Sequence, residues 1–145
     1  MIDPSGTRLA EFPPQDYLKH IAEHVEPWSY IKFPFLKTPG WKGFVDGPSS
    51  GLYRVAPLAR LNVADGMATP LAQAHYEEFF QVLGGKPVHS TLATHWARLI
   101  EALQATEVIQ ALAHDPEILS PVVRTLPEAA PTEGIGIVEA PRGTL

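Results

Sequence analysis

With 145 residues and 15.8 kDa, the chain holds one domain's worth of material, and 45% hydrophobic residues are enough to build a core. Its 15 prolines and 11 glycines fall short of a low-complexity composition, so neither a disordered tail nor a collagen-like fibre is expected. A formal net charge of −5 argues against a nucleic-acid surface, and the absence of cysteine excludes disulfides, thiolate-bound metals and a thiol nucleophile within this chain.

No apolar run is long enough for a membrane span, and Met1-Ile2-Asp3-Pro4 is not a basic, apolar secretory start, so a soluble intracellular protein is expected. Along the chain a first helix is predicted over 15–25, entered through Pro13-Pro14 and stopped by Pro27, with Tyr17, Leu18, Ile21 and Val25 on one stripe. Alternation predicts short strands at 29–33 and 51–55, separated by turn chemistry at Pro39-Gly40 and 46–51. A second helix is predicted over 69–83. Thr69 and Pro70 suit its start, Ala72, Tyr76, Phe79, Phe80 and Leu83 its apolar face, and Gly84-Gly85 its left-handed exit. A third is predicted over 91–113, capped by Ser90 or Thr91, with Leu92, Trp96, Leu99 and Leu103 as its stripe. The two form an antiparallel hairpin, and an apolar strand is predicted over 134–139. The fold class is therefore mainly α with short β-strands.

The remaining chain is irregular yet apolar, with Trp28, Phe33, Phe35, Trp41 and Phe44 in one short stretch. Irregular backbone has no ladder for its polar groups and needs a surface to pack on. Low charge points the same way, so 1–145 is read as a single partial domain within a larger architecture that folds poorly alone. An ordinary small α+β domain with an aromatic core is the alternative.

Several constellations are candidates for chemistry. In His20-Ile21-Ala22-Glu23-His24, two histidines at i and i+4 of a helix have zinc-ligand spacing. The intervening Glu23 would activate a metal-bound water, and Glu101 is a candidate third ligand. The alternative is an ordinary polar helix edge. Arg54 and Arg60 lie in an apolar stretch and read as structural arginines needing carboxylate partners if buried. The Ser49/Ser50, His and Asp residue types lack a nucleophile-elbow pattern. In Pro141-Arg142-Gly143, a rigid Pro and a permissive Gly would fix the Arg142 guanidinium at a strand end, to clamp an anion or to form an ion pair.

The segment Glu139-Ala140-Pro141-Arg142-Gly143-Thr144-Leu145, preceded by Glu133-Gly134-Ile135-Gly136, resembles the Glu-Ala-Pro-Arg-Gly signature of nickel–iron hydrogenase large subunits. Upstream, 23–30, 47–62 and the helix from Thr69 to Phe80 are similar to the bidirectional, NAD-linked cytoplasmic branch of that family. The resemblance implies an oxidoreductase component that splits or forms H2 at a nickel–iron centre. It implies a catalytic, outer-shell role for Arg142, with Ala140 and Pro141 forming the ligand pocket. It also implies a cytoplasmic complex with a flavin module that reduces NAD and an iron–sulfur small subunit. The two long helices would stand in a bundle beside the metal site.

The family binds its metals through four cysteines in an early Arg-x-Cys-Gly-x-Cys and a late Asp-Pro-Cys-x-x-Cys motif, and this chain has neither. The expectation is an internal segment of a large subunit that binds no metal alone and is inactive alone. The alternatives are a cysteine-free structural or interaction module of the same family and a small zinc hydrolase using His20, Glu23 and His24.

Overall fold

A computed structural model of the chain describes residues 1–47, 49–140 and 143–144. Its core is built by three helices: α2 (Pro57–Val63), α3 (Pro70–Val82) and α4 (Ala93–Ala113). A short helix, α1 (Tyr17–His20), follows a 3-10 turn at Pro14–Asp16 and runs into a two-stranded antiparallel sheet of β1 (Ile21–Val25) and β2 (Lys32–Leu36). A second two-stranded sheet joins β3 (Glu139–Ala140) to β4 (Gly143–Thr144).

The second predicted helix forms as α3 almost residue for residue. Pro70 occupies its first turn, where a missing N–H costs nothing, and Ala72, Tyr76, Phe79 and Phe80 turn inward. Gly84 and Gly85 take φ of +86° and +105°, the left-handed exit a side chain would resist. Lys86, one residue on, donates to the Tyr76 hydroxyl at 2.9 Å and also binds the Ala64 carbonyl at the end of α2.

Thr69 starts α3 differently from the expected self-cap. Its hydroxyl donates to Glu107 Oε2 at 2.6 Å, and the Glu107 carboxylate accepts the backbone N–H groups of Leu71 (3.1 Å) and Ala72 (3.0 Å). The first turn of α3 is thus capped by a side chain of α4. The same two helices meet at their other ends, where Phe79 packs edge-on against Trp96 with ring centroids 5.2 Å apart. This pairing makes the hairpin antiparallel, as expected.

α4 begins at Ala93, two residues later than predicted, and neither Ser90 nor Thr91 caps it through a side chain; their carbonyls instead accept from Ala93 and Thr94. Its inward stripe also differs. Ala93, Ala97 and Ile100 are buried, Trp96 and Leu103 lie at the border, and Leu92 and Leu99 are 78% and 69% exposed. Alanines face the neighbouring helices because small side chains allow close approach, whereas reading the stripe from the largest residues rotates it away from the contact.

The structure corrects the N-terminal third more deeply. The predicted helix over 15–25 stops at His20, and 21–25 is strand, with Ile21 opposite Leu36 and Val25 opposite Lys32. β-branched Ile21 and Val25 favour the extended form, and pairing with 32–36 overrides a weak helical preference. The predicted strand at 29–33 lies three residues later, because 26–31 forms the connection, with a turn closed by the Ser29 N–H on the Glu26 carbonyl. Pro34 is tolerated in β2 because this strand has a free edge.

The predicted strand at 51–55 does not form. This stretch runs without helix or strand into Ala56, whose φ of +77° and ψ of −179° are unusual for a residue with a side chain, and α2 follows at once with Pro57 at its start. Gly51 lies so close to its neighbours that an added Cβ would sit 2.5 Å from the Gly40 carbonyl oxygen. The strand predicted over 134–139 reduces to Glu139–Ala140; residues 134–138 are not strand. An apolar alternation needs a neighbouring strand to become a ladder, and among the described residues β3 pairs with β4 alone. The mainly α class with short strands stands.

The aromatic residues of the irregular stretch pack on one another beside the β1–β2 hairpin. Trp41 meets Phe35, Phe44 and His24, and Phe44 meets Phe33 edge-on. Trp28 at the margin is still 70% exposed and Tyr30 95%.

The hydrogen bond from Thr69 is the main cause that holds the Glu107 carboxyl below its ordinary value of 4.5, helped by the Ala72 and Leu71 N–H groups and opposed by desolvation. A depressed folded-state pKa means stability that is complete above the ordinary carboxylate range and lost as the pH falls through the folded value. Glu107→Ala is expected to lower the thermal midpoint at pH 7 and to flatten the loss on acidification, followed by far-UV circular dichroism. A variant that loses stability on acidification in parallel with the parent chain would show that this carboxylate does not cap α3.

Candidate functional site

The described residues enclose a cleft of about 790 Å³. Its walls are the N-terminal segment, the end of α1, the roots of β1 and β2, the stretch at 50–55 and one face of α2. His89, in the connection between α3 and α4, closes one side, and Ile137 reaches it from the C-terminal stretch.

Each polar wall is held by a specific bond. Asp3 folds the N-terminal loop by accepting from the Ser5 N–H (2.8 Å), the Ser5 hydroxyl (2.6 Å) and the Thr7 N–H (2.9 Å). The Ser5 hydroxyl is the largest cause holding the Asp3 carboxyl below its ordinary range. The loop docks on His89, whose Nε2 lies 2.8 Å from the Pro4 carbonyl oxygen. A carbonyl only accepts, so Nε2 carries the proton in that bond. Asn62 on α2 reads the backbone of Val88, donating to its carbonyl at 2.8 Å and accepting from its N–H at 2.9 Å. This buried amide therefore fixes the residue next to His89. Tyr17 faces Tyr53; burial first, then Tyr53 and the Glu23 charge, pushes the Tyr17 phenol up.

Arg54 and Arg60 both line the cleft and are held differently. Arg60 reaches α4, its Nε and Nη2 donating to the two oxygens of Glu101 at 2.7 and 2.6 Å. This fork-to-carboxylate pair is the expected structural partnership. Arg54 instead donates to the His89 carbonyl at 2.9 Å and remains exposed. The two arginines share one wall; among the described residues Arg60 has a carboxylate partner, and the exposed Arg54 does not meet the condition of burial under which one was expected.

The zinc reading is overturned by the backbone. His20 closes α1 and His24 lies in β1, so they do not share a helix face. His20 stacks on Phe12 at 4.3 Å between ring centroids, while His24 stacks on Trp41 at 4.2 Å and bonds Glu26 at 3.0 Å. Glu101, the candidate third ligand, is engaged by Arg60. Among the described residues no three His, Asp or Glu side chains form a group that would hold a metal ion. Ser50 is buried, and its hydroxyl accepts the Leu52 N–H at 3.2 Å within the same turn.

Of the residues the signature singles out, Ala140 is the last residue of β3, while Pro141 and Arg142 lie outside the described residues. The sequence reading missed Asn62, His89 and the Tyr17–Tyr53 pair as parts of one site. Asn62 carried a signal, since it falls on the same helical face as Leu58 at i+4; His89 and Tyr53 meet their partners only through tertiary contact.

Because Arg60 and Glu101 are both partly exposed, a double-mutant cycle with Arg60→Ala and Glu101→Ala is expected to give a coupling of about 1 kcal/mol in unfolding free energy. A coupling indistinguishable from zero in denaturant titrations would remove this pair from the set of contacts joining α2 to α4.

No protein-family model matches the chain. It is 52% identical over 144 residues to an iron-sulfur subunit of the F420-non-reducing hydrogenase of Archaeoglobus profundus, covering 99% of this chain and 29% of that protein. It is 45% identical over 147 residues to the NAD-reducing hydrogenase HoxS subunit beta of Cupriavidus necator, covering 100% of this chain and again 29% of the relative. Among solved structures, an NAD+-reducing [NiFe]-hydrogenase in the H2-reduced state superposes with a TM-score of 0.72 at 38% identity, over 94% of this chain and 28% of the other. The chain thus spans about three tenths of the length of these relatives, and each likeness aligns it with a segment of a hydrogenase.

Proposed function

We propose that this chain is a segment of the large, catalytic subunit of a nickel–iron hydrogenase that couples reversible H2 oxidation to NAD reduction in its complete complex. The observation that carries the reading is a likeness running the whole chain: 45% identity to HoxS subunit beta and a TM-score of 0.72 to the solved NAD+-reducing enzyme. The Glu139–Leu145 signature falls within the stretch that this likeness covers and agrees with it.

The donor set of this chain does not fit a thiolate-ligated nickel–iron centre. It has no cysteine, and no described cluster of other ligands replaces one. The metals of the complete protein would be held by residues other than these, and this chain alone is expected to be inactive. Its own contribution would be Arg142, a guanidinium protonated at any working pH and able only to donate hydrogen bonds, held between Pro141 and Gly143. Ala140 and Pro141 would shape the apolar side of the pocket. The partners would be a flavin-containing, NAD-reducing module and an iron–sulfur small subunit, in the cytoplasm; among the described residues no helix is long and apolar enough to cross a membrane.

A second reading concerns the electron acceptor alone. The 52% identity to the Archaeoglobus profundus protein, whose name excludes F420 as acceptor and does not name NAD, supports a complex whose acceptor is not F420 and need not be NAD. Comparing H2-dependent reduction of NAD+ with that of an artificial viologen in the complete complex separates the two.

In that complex Arg142→Lys keeps the charge and loses the planar fork. It is expected to lower H2-dependent NAD+ reduction by about 100-fold, the size of effect seen when one preorganised donor is removed. Wild-type turnover in the lysine variant would refute the assigned role of Arg142.

A further inference from the structure

From 121 to 138 the backbone is a stretch without helix or strand in which every residue is exposed except Ile137. Its apolar neighbours Ile135 and Val138 are 48% and 62% exposed, so Ile137 is not sheltered merely by belonging to an apolar segment. Ile137 also lines the cleft, together with the apolar side chains of Leu9, Leu52 and Val63. An 18-residue strap thus meets the cleft through one side chain, two residues before β3 begins.

We propose that Ile137 is a latch: its side chain seats in the cleft and fixes the strap, and with it the start of β3, against the wall formed by the N-terminal segment, the 50–55 stretch and α2. The chemistry of both sides agrees. The Ile137 side chain, on a cleft that Leu9, Leu52 and Val63 also line, is partly withdrawn from water, whereas the odd-numbered neighbour two residues earlier, Ile135, stays in it. Gly134 and Gly136 flank Ile135 with open space where a Cβ would stand, so the backbone up to the latch is free to follow it. A strap held at a single point opens locally at little cost, because it has few other buried contacts to break. The cleft is far larger than one isoleucine side chain, so the latch occupies a part of it without filling it. This inference stands on the geometry of the chain and is independent of the reaction the chain serves.

The absence of cysteine makes the test direct, since each single cysteine introduced into the chain is the only thiol. Ile135→Cys, Ile137→Cys and Val138→Cys are labelled with a maleimide under native conditions and again in denaturant, with Ala97→Cys in the buried face of α4 as a reporter of the folded body. Labelling at position 137 is expected to be about tenfold slower than at 135 and 138 under native conditions, with the three rates converging in denaturant. Reciprocally, a Leu52→Cys reporter is expected to label faster in the background Ile137→Ser than in Ile135→Ser, because only the former uncovers the cleft wall. Equal native rates at 135, 137 and 138 in a chain whose position 97 is protected would overturn the latch. So would a Leu52→Cys reporter that responds alike to the two serine substitutions.

Discussion

The carboxylate of Glu107 closes the one junction on which the helical core depends. A helix that begins with proline has no first N–H to satisfy, but the next donors still point into the space before it. In α3 these are the N–H groups of Leu71 and Ala72, and the residue that accepts them comes from the far end of α4, 35 positions beyond Ala72 in sequence. The bond therefore does two things at once: it neutralises the positive end of α3, and it sets the axial register of α4 against it. With the register set at that end, Ala93, Ala97 and Ile100 fall opposite Phe79 and its neighbours, and the Phe79–Trp96 contact closes the other. Gln104, one turn before Glu107, adds a bond to the Ala68 N–H, so the approach to α3 is held by the same face of α4.

The economy of charge on α4 follows from this. Among its 21 residues, Glu101 and Glu107 are the only carboxylates, and both are engaged with neighbours: Glu107 with α3 and Glu101 with Arg60 of α2. The outer side of the helix carries Leu99, Ile109 and Leu112 among the polar side chains of His95, Arg98, Thr106 and Gln110, all of them exposed. Exposed apolar side chains thus interrupt an otherwise polar outer face. The exposed Trp28, Tyr30 and Phe44 beside the hairpin repeat that pattern in irregular chain.

What was legible in the sequence divides along the same line. α3 could be read because its entry, stripe and exit are all local: Thr69-Pro70, four apolar residues at helical spacing and Gly84-Gly85. The stripe of α4 was misplaced because periodicity weighs large residues, while the contact is made by alanines that only a close neighbour selects. The first helix was lost at Ile21 for a related reason. The residues 17–25 fit a helical stripe, but β1 exists only because 32–36 is there to pair with it, and pairing across a turn has no signature in the strand itself. For the site, the Arg60 ion pair was legible in kind and not in partner. The His20–His24 spacing had meaning only on a helix that does not extend that far. The resemblance of the C-terminal signature pointed to Arg142 and Pro141, which lie outside the described residues, while the cleft depends on Asn62, His89 and Tyr53, joined by contacts between distant segments.

Ala56 shows how these contacts are bound together. Its backbone lies in a region that normally requires glycine, at a cost of order 1–3 kcal/mol, and that conformation turns the 51–55 stretch directly into α2. The turn is what allows Arg54 and Arg60, six residues apart, to stand on one wall of the cleft while reaching in different directions, Arg54 to His89 and Arg60 to Glu101. A relaxed backbone at Ala56 would rotate α2 relative to the 51–55 stretch and break the alignment of Asn62 with Val88. The strain is held from both sides: by the Ala56 carbonyl accepting from Ala59 and Arg60 within α2, and by the burial of Leu58 and Leu61 against α3 and α4. The cleft wall is therefore a consequence of the helical core. The register set by Glu107 supports the packing that holds α2, and α2 in turn holds the strained entry that shapes the site.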